Sequence, residues 1–82
     1  MKICIDERTH EDSAVEIMEQ LRQQTFDPTE YPDTESYIFQ LRSNFIRATD
    51  LDCPLPESGV ERQAQAMFAH LAKAGALTIL EE

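Results

Sequence analysis

The side chains that could carry out covalent or acid–base chemistry are few and far apart. They are two cysteines and two histidines: Cys4, Cys53, His10 and His70. The cysteines form no CxxC pair and neither histidine has a second histidine at i+4, the spacings typical of zinc sites. A nucleophile also needs its base within hydrogen-bond reach, which separate positions in a sequence do not establish. We therefore predict reduced thiols, no metal site and no catalytic residues.

Ligands for hard cations or phosphates are equally incomplete. A twelve-residue calcium loop needs a fuller set of oxygen ligands and a glycine at its sharp turn. A phosphate-binding loop needs several glycines, and the two present, Gly59 and Gly75, both fall at predicted helix ends. The acidic clusters that lack these features are Asp50-x-Asp52 and the loop with Asp27, Glu30, Asp33 and Glu35. The sequence predicts solvated turn and cap residues there, and no cofactor.

Carboxylates are the most distinctive chemical feature of the chain. Sixteen acidic and seven basic side chains give a formal net charge of −9. This charge repels nucleic-acid phosphates and anionic lipid surfaces, and it favours a partner with a basic surface. The candidate contacts for such a partner lie on the first helix and around it: Glu11, Asp12, Glu16, Glu19 and Glu30. Ordinary solubility is the alternative explanation for the same charge.

A second group of candidates lies on the helix predicted over residues 34–48. At 100° per residue, Phe39 and Ile46 fall about 80–100° away from Ile38, so the apolar arc is unusually wide. A helix buried on two sides explains this arc, and an exposed patch that meets a partner is the alternative. Arg42 falls within the arc, where we expect its methylenes to lie along apolar surface and its guanidinium to pair with a carboxylate.

The elements that must position these residues follow from periodicity and capping. Ser13 with Glu16 forms a capping box, Ser58 with Glu61 predicts a second one, and Gly75 is typical of a helix stop. Alternating apolar residues predict short strands at the two ends, and no other segment has a strand pattern. The predicted elements are a strand at 3–6, helices over 13–24 and 34–48, a helix from 58 to Gly75, and a strand at 77–80. The expected fold is α+β, in the order β-α-α-α-β, with residues 1–82 as one domain.

These observations favour binding over catalysis. The leading hypothesis is a small acidic protein-binding module that engages a basic surface, as inhibitors, antitoxins, immunity proteins and nucleic-acid mimics do. A structural homodimer, formed through strand edges or through the second helix, is the alternative, and a small enzyme is the third hypothesis. The sequence lacks a long apolar run or a signal-peptide core, which predicts no membrane contact and a cytoplasmic location.

Overall fold

Three helices and one antiparallel sheet make up the fold, which confirms the predicted α+β class. The structure is a computed structural model that describes residues 1–25 and 31–81. Its elements are β1 (Lys2–Ile5), β2 (Arg8–Glu11), α1 (Ala14–Gln23), α2 (Thr34–Thr49), α3 (Val60–Lys73) and β3 (Thr78–Glu81). The three helices agree with the predicted ones to within a few residues.

The sheet has three strands in the order β2-β1-β3, where the sequence predicted two. β1 lies in the middle and is antiparallel to both neighbours, so Ile3 pairs with His10 on one side and with Ile79 on the other. The missed strand is β2, whose four residues are all polar and mostly exposed. Backbone hydrogen bonds to β1 hold β2 in place. Because these bonds do not depend on the type of side chain, the strand can form without the apolar alternation by which a sequence predicts strands.

A two-residue turn joins β1 to β2 and enforces this pairing. Ile5 pairs directly with Arg8, which leaves Asp6 and Glu7 as the turn. Both have positive φ, 50° for Asp6 and 68° for Glu7. Two successive residues in this region are the mark of the tight hairpin turns that match the twist of a sheet, although asparagine and glycine are the usual residues there. The turn therefore holds two ordinary side chains in a conformation that favours glycine.

Local caps fix the ends of the helices. Ser13 Oγ accepts the N–H of Glu16 at 3.3 Å and begins α1, and Asp33 Oδ1 accepts the N–H of Ser36 at 2.7 Å and begins α2. After α3, Gly75 takes a φ of 84°, and the N–H of Ala76 bonds the carbonyl of Leu71 at 2.9 Å. This is the Schellman arrangement, and it confirms the predicted stop.

The predicted capping box at the start of α3 is wrong. Gly59 is the N-cap, with a φ of 90°, and a glycine has no side chain that could cap the helix. Ser58 is an exposed residue before the cap, while Glu61 bonds to another helix altogether. The local pattern Ser-x-x-Glu is compatible with a capping box, but the carboxylate of Glu61 accepts hydrogen bonds from α1 instead of capping its own helix.

The core lies between the helices and one face of the sheet. Its largest fully buried side chains come from all the layers, and each contributes about 1.5–3 kcal/mol through the hydrophobic effect. They include Ile3, Ile17, Met18, Ile38, Met67 and Phe68. α3 contacts α1, α2 and β3, so it is the central helix of the domain.

We predict that Glu7→Gly stabilises the fold, since glycine takes a positive φ without the steric penalty of a Cβ. Relief of that penalty exceeds the added chain entropy, and the free energy of unfolding should rise by about 0.5–1 kcal/mol. Urea denaturation measures the change. Glu11→Gly is the matched control in the same hairpin, and it should destabilise by a similar amount because Glu11 lies in an extended strand. Destabilisation by both substitutions would contradict the turn geometry.

Candidate protein-binding site

Exposed carboxylates meet where β2 ends and α1 begins. Glu11 is the last residue of β2, Asp12 follows it, and Glu16 lies in the first turn of α1. All three are exposed. The chain turns sharply between the two elements, held by a hydrogen bond from the N–H of Asp12 to the carbonyl of Met1 at 3.0 Å. We call Glu11, Asp12 and Glu16 the acidic end.

Lys2 is the basic residue that the strand register places beside this end. It pairs with Glu11 on one side and with Glu81 on the other. Opposite charges on directly opposed strand residues attract one another modestly, by about 0.2–1 kcal/mol. One lysine between two glutamates leaves the local balance negative.

The first backbone amides of α1 are all bound to side chains of this chain. The N–H of Ser13 donates to Asp12 Oδ1 at 2.8 Å, while the N–H groups of Ala14 and Val15 donate to Glu61 Oε2 and Oε1 at 3.0 and 3.1 Å. Glu61 thus supplies both carboxylate oxygens to the start of a helix far away in the sequence. Negative charge at this position also offsets the positive end of the helix dipole. Sequence reasoning missed this contact, and no local signal reveals it.

Glu19 is half-buried, and its carboxylate is bonded to other side chains of the fold. Its carboxylate accepts two hydrogen bonds from Arg22, at 2.9 and 2.6 Å, together with one from Gln23 and one from the hydroxyl of Thr34 at 2.6 Å. The hydrogen bonds from Arg22, and then those from Thr34 and Gln23, lower the pKa of Glu19 to about 2. Arg22 also donates to the carbonyl of Tyr31. The network joins α1 to the start of α2, so we place Glu19 outside the candidate surface.

The other predicted contacts are dispersed. Phe39 is 41% exposed on α2, whereas Ile46 is half-buried against the core, so the predicted apolar patch reduces to Phe39. Arg42 is half-buried, and its Nε donates to the carbonyl of Cys53 at 2.7 Å rather than to the expected carboxylate. A backbone carbonyl in the loop after α2 satisfies the guanidinium at that point. Glu30 lies outside the described residues.

Cys53 and both histidines make structural contacts. Cys53 is fully buried beside Met67, with 3.8 Å between their sulfur atoms, and burial raises the pKa of its thiol. His70 Nε2 lies 2.9 Å from the carbonyl of Pro54, which fastens α3 to the loop after α2. His10 Nδ1 lies 3.4 Å from Gln20 Oε1. In the described ranges, no three His, Cys, Asp or Glu side chains are grouped so that they could hold a metal ion.

Comparison with protein-family models, with curated proteins and with solved structures found no match. None of the helices in residues 1–25 and 31–81 is long and apolar enough to cross a membrane. The functional argument therefore depends on the surface of this chain alone.

We predict that Glu61→Gln destabilises the fold by about 1–3 kcal/mol, because an amide supplies one oxygen where a charged carboxylate supplies two. One amide of α1 would then face an N–H donor, in a place where Ala14 is almost inaccessible to water. Urea denaturation at neutral pH measures the loss. Glu57→Gln, on an exposed bend, should change stability by less than about 0.5 kcal/mol. Equal effects of the two substitutions would show that the Glu61 contact contributes nothing.

The stabilisation by Glu19 should depend on pH. Its pKa of about 2 lies below the ordinary 4.5, so its ionised form stabilises the native state. This contribution is complete above pH 4.5 and is lost as the pH falls towards 2. The stability difference between the wild type and Glu19→Gln should therefore be largest near neutral pH and shrink towards zero through that window. Denaturation at a series of pH values tests this, and a difference that does not change with pH would contradict it.

Proposed function

We propose that this chain is a small protein-binding module whose acidic end engages a basic surface on another protein. The observation that supports the proposal most is the position of the negative charge. α2 and α3 each carry two basic side chains and one acidic, so they are net positive and the rest of the chain carries a formal charge of −11 within the total of −9. Glu11 and Glu16 are exposed within that remainder, at the end of β2 and in the first turn of α1.

Charge placed on one part of a surface acts on the rate of encounter. A partner with lysine and arginine side chains is attracted over several ångströms before contact, and wrong partners with acidic surfaces are repelled. The final affinity depends on the packing that follows, so the acidic end selects the class of partner. An inhibitor, an antitoxin or immunity protein, and a mimic of nucleic acid all bind in this way.

Rigidity supports the same use of this end. Asp12 and Glu61 hold three successive amides at the start of α1, and Asp12 itself is bonded to Met1 through its backbone. Carboxylates fixed on a helix and a paired strand lose less conformational entropy on binding than carboxylates on a free loop. Glu11 and Glu16 lie on such elements.

The test begins with affinity capture of the partner from the cells of origin, followed by stopped-flow measurement of association. We predict that the association rate falls about tenfold as salt is raised from low to high concentration, because exposed charges are screened beyond a Debye length of about 8 Å at physiological ionic strength. The double variant Glu11→Lys with Glu16→Lys should slow association far more than it speeds dissociation. A dissociation constant that does not depend on salt would contradict the proposal.

The matched control is Glu35→Lys with Glu57→Lys. Glu35 lies in the first turn of α2 as Glu16 lies in the first turn of α1, and Glu57 is exposed, so the two double variants change charge equally. If the acidic end is the site, the control slows association only slightly. If both double variants slow association equally, the net charge of the chain explains the effect and the acidic end is not a specific site. Glu19 is left unchanged, since its replacement would disturb the contact between α1 and α2.

A further inference from the structure

An apolar groove lies beside the C-terminal ends of α2 and α3, on a different part of the molecule from the acidic end. Phe45 and Ala74 line it from the two helices, and Leu51 and Pro54 line it from the loop after α2. A shallower extension continues between the helices, past Leu71. Leu51 is 55% exposed, the largest value among the exposed large apolar side chains of the described residues. Water covers apolar surface here that another molecule could shield.

The charges at the groove are of both signs. Asp52 and Lys73 line it together, and both are exposed. Asp50 and Arg47, at the end of α2, are a second acidic and basic residue close to the groove. A twofold contact places the same patch of two copies against one another. Each charge on one copy therefore needs an opposite charge within that same patch on the other copy. A groove with both signs meets this condition, in a chain where acidic residues outnumber basic ones by more than two to one.

We propose that the groove is the interface of a homodimer, occupied by the same groove of a second copy. Leu51 of each copy packs on the Phe45 and Ala74 of the other, and Lys73 of each copy faces Asp52 of the other. This interface uses α2, α3 and the loop after α2, so the acidic ends of both copies remain free. The inference is independent of the proposed function, and neither one requires the other.

The charge balance separates this interface from two other conceivable ones. Within residues 1–25 and 31–81, the further exposed large apolar side chains are Phe39, on α2, and Leu80, on the open edge of β3. Pairing of β3 edges would bury Leu80 and bring two copies of Glu81 into the same contact. The groove has apolar lining residues from α2, α3 and the loop after α2, and it offers both signs of charge. Phe39 and Leu80 therefore serve as matched sites for the test.

The experiment measures the mass of the purified full chain by light scattering and sedimentation over about a hundredfold range of concentration, at about 150 mM salt to screen the net repulsion. The mass should rise from 9.4 kDa towards twice that value. Leu51→Lys should raise the dimer dissociation constant at least about tenfold, whereas Phe39→Lys and Leu80→Lys should change it by less than about threefold. Circular dichroism checks that each variant folds.

A charge exchange tests the orientation of the two copies. Lys73→Glu and Asp52→Lys should each weaken self-association, because each brings like charges together twice in the dimer. A mixture of the two variants should form a heterodimer with near wild-type affinity, since both contacts then join opposite charges. Both substitutions lie on exposed positions, so this test holds even if Leu51→Lys fails to fold. The proposal is overturned if the mass stays at 9.4 kDa at every concentration, or if Leu51→Lys leaves the dimer unaffected. It is also overturned if Leu80→Lys or Phe39→Lys abolishes the dimer instead, or if the mixture of charge variants does not recover the affinity.

Discussion

The contact between Glu61 and the first amides of α1 is the constraint on which the arrangement of the domain depends. It joins the central helix, α3, to the point where the chain leaves the sheet and enters α1. Ala14, whose amide it binds, is 1% exposed, and Glu61 itself is half-buried. An amide that is shielded from water without a partner is costly, so this single side chain stabilises the contact between α3 and the start of α1. The acidic end lies at the same point, and its geometry depends on the same bonds.

Acidic residues in this chain have two separate physical roles that composition alone cannot distinguish. Asp12, Asp33 and Glu61 bind backbone amides at helix starts, and Glu19 binds Arg22 and Thr34 between two helices. In these positions the charge is part of the fold. Glu11 and Glu16 are exposed at the edge of these contacts, so their charge is directed to solvent and to other molecules. The strongly negative composition is therefore partly structural and partly a property of the surface.

Sequence reasoning recovered the features that depend on neighbours in the chain. The cap at Ser13 and the stop at Gly75 are local hydrogen-bonding motifs, and the helices carry a regular apolar stripe. β2 was missed because its residues are polar and its turn uses Asp6 and Glu7 instead of the usual small residues. The partners of Glu61 and Arg42 were missed because each lies on another element, and residue type alone does not identify a long-range partner. Glu11, Asp12 and Glu16 were expected on the first helix and around it, and the structure places all three near the start of α1.

The strand order has a consequence for the way this chain reaches its native state. β1 pairs with β2 through a tight turn, but its other edge pairs with β3 from the far end of the chain, so the second pairing closes a much longer loop and is expected to form more slowly. Until then one edge of β1 presents unpaired amides and carbonyls, the feature through which chains join wrongly and aggregate. A fluctuation that detaches β3 uncovers that same edge in the finished protein. Resistance to aggregation therefore depends on how firmly α3 and its closing glycine hold β3 against the sheet.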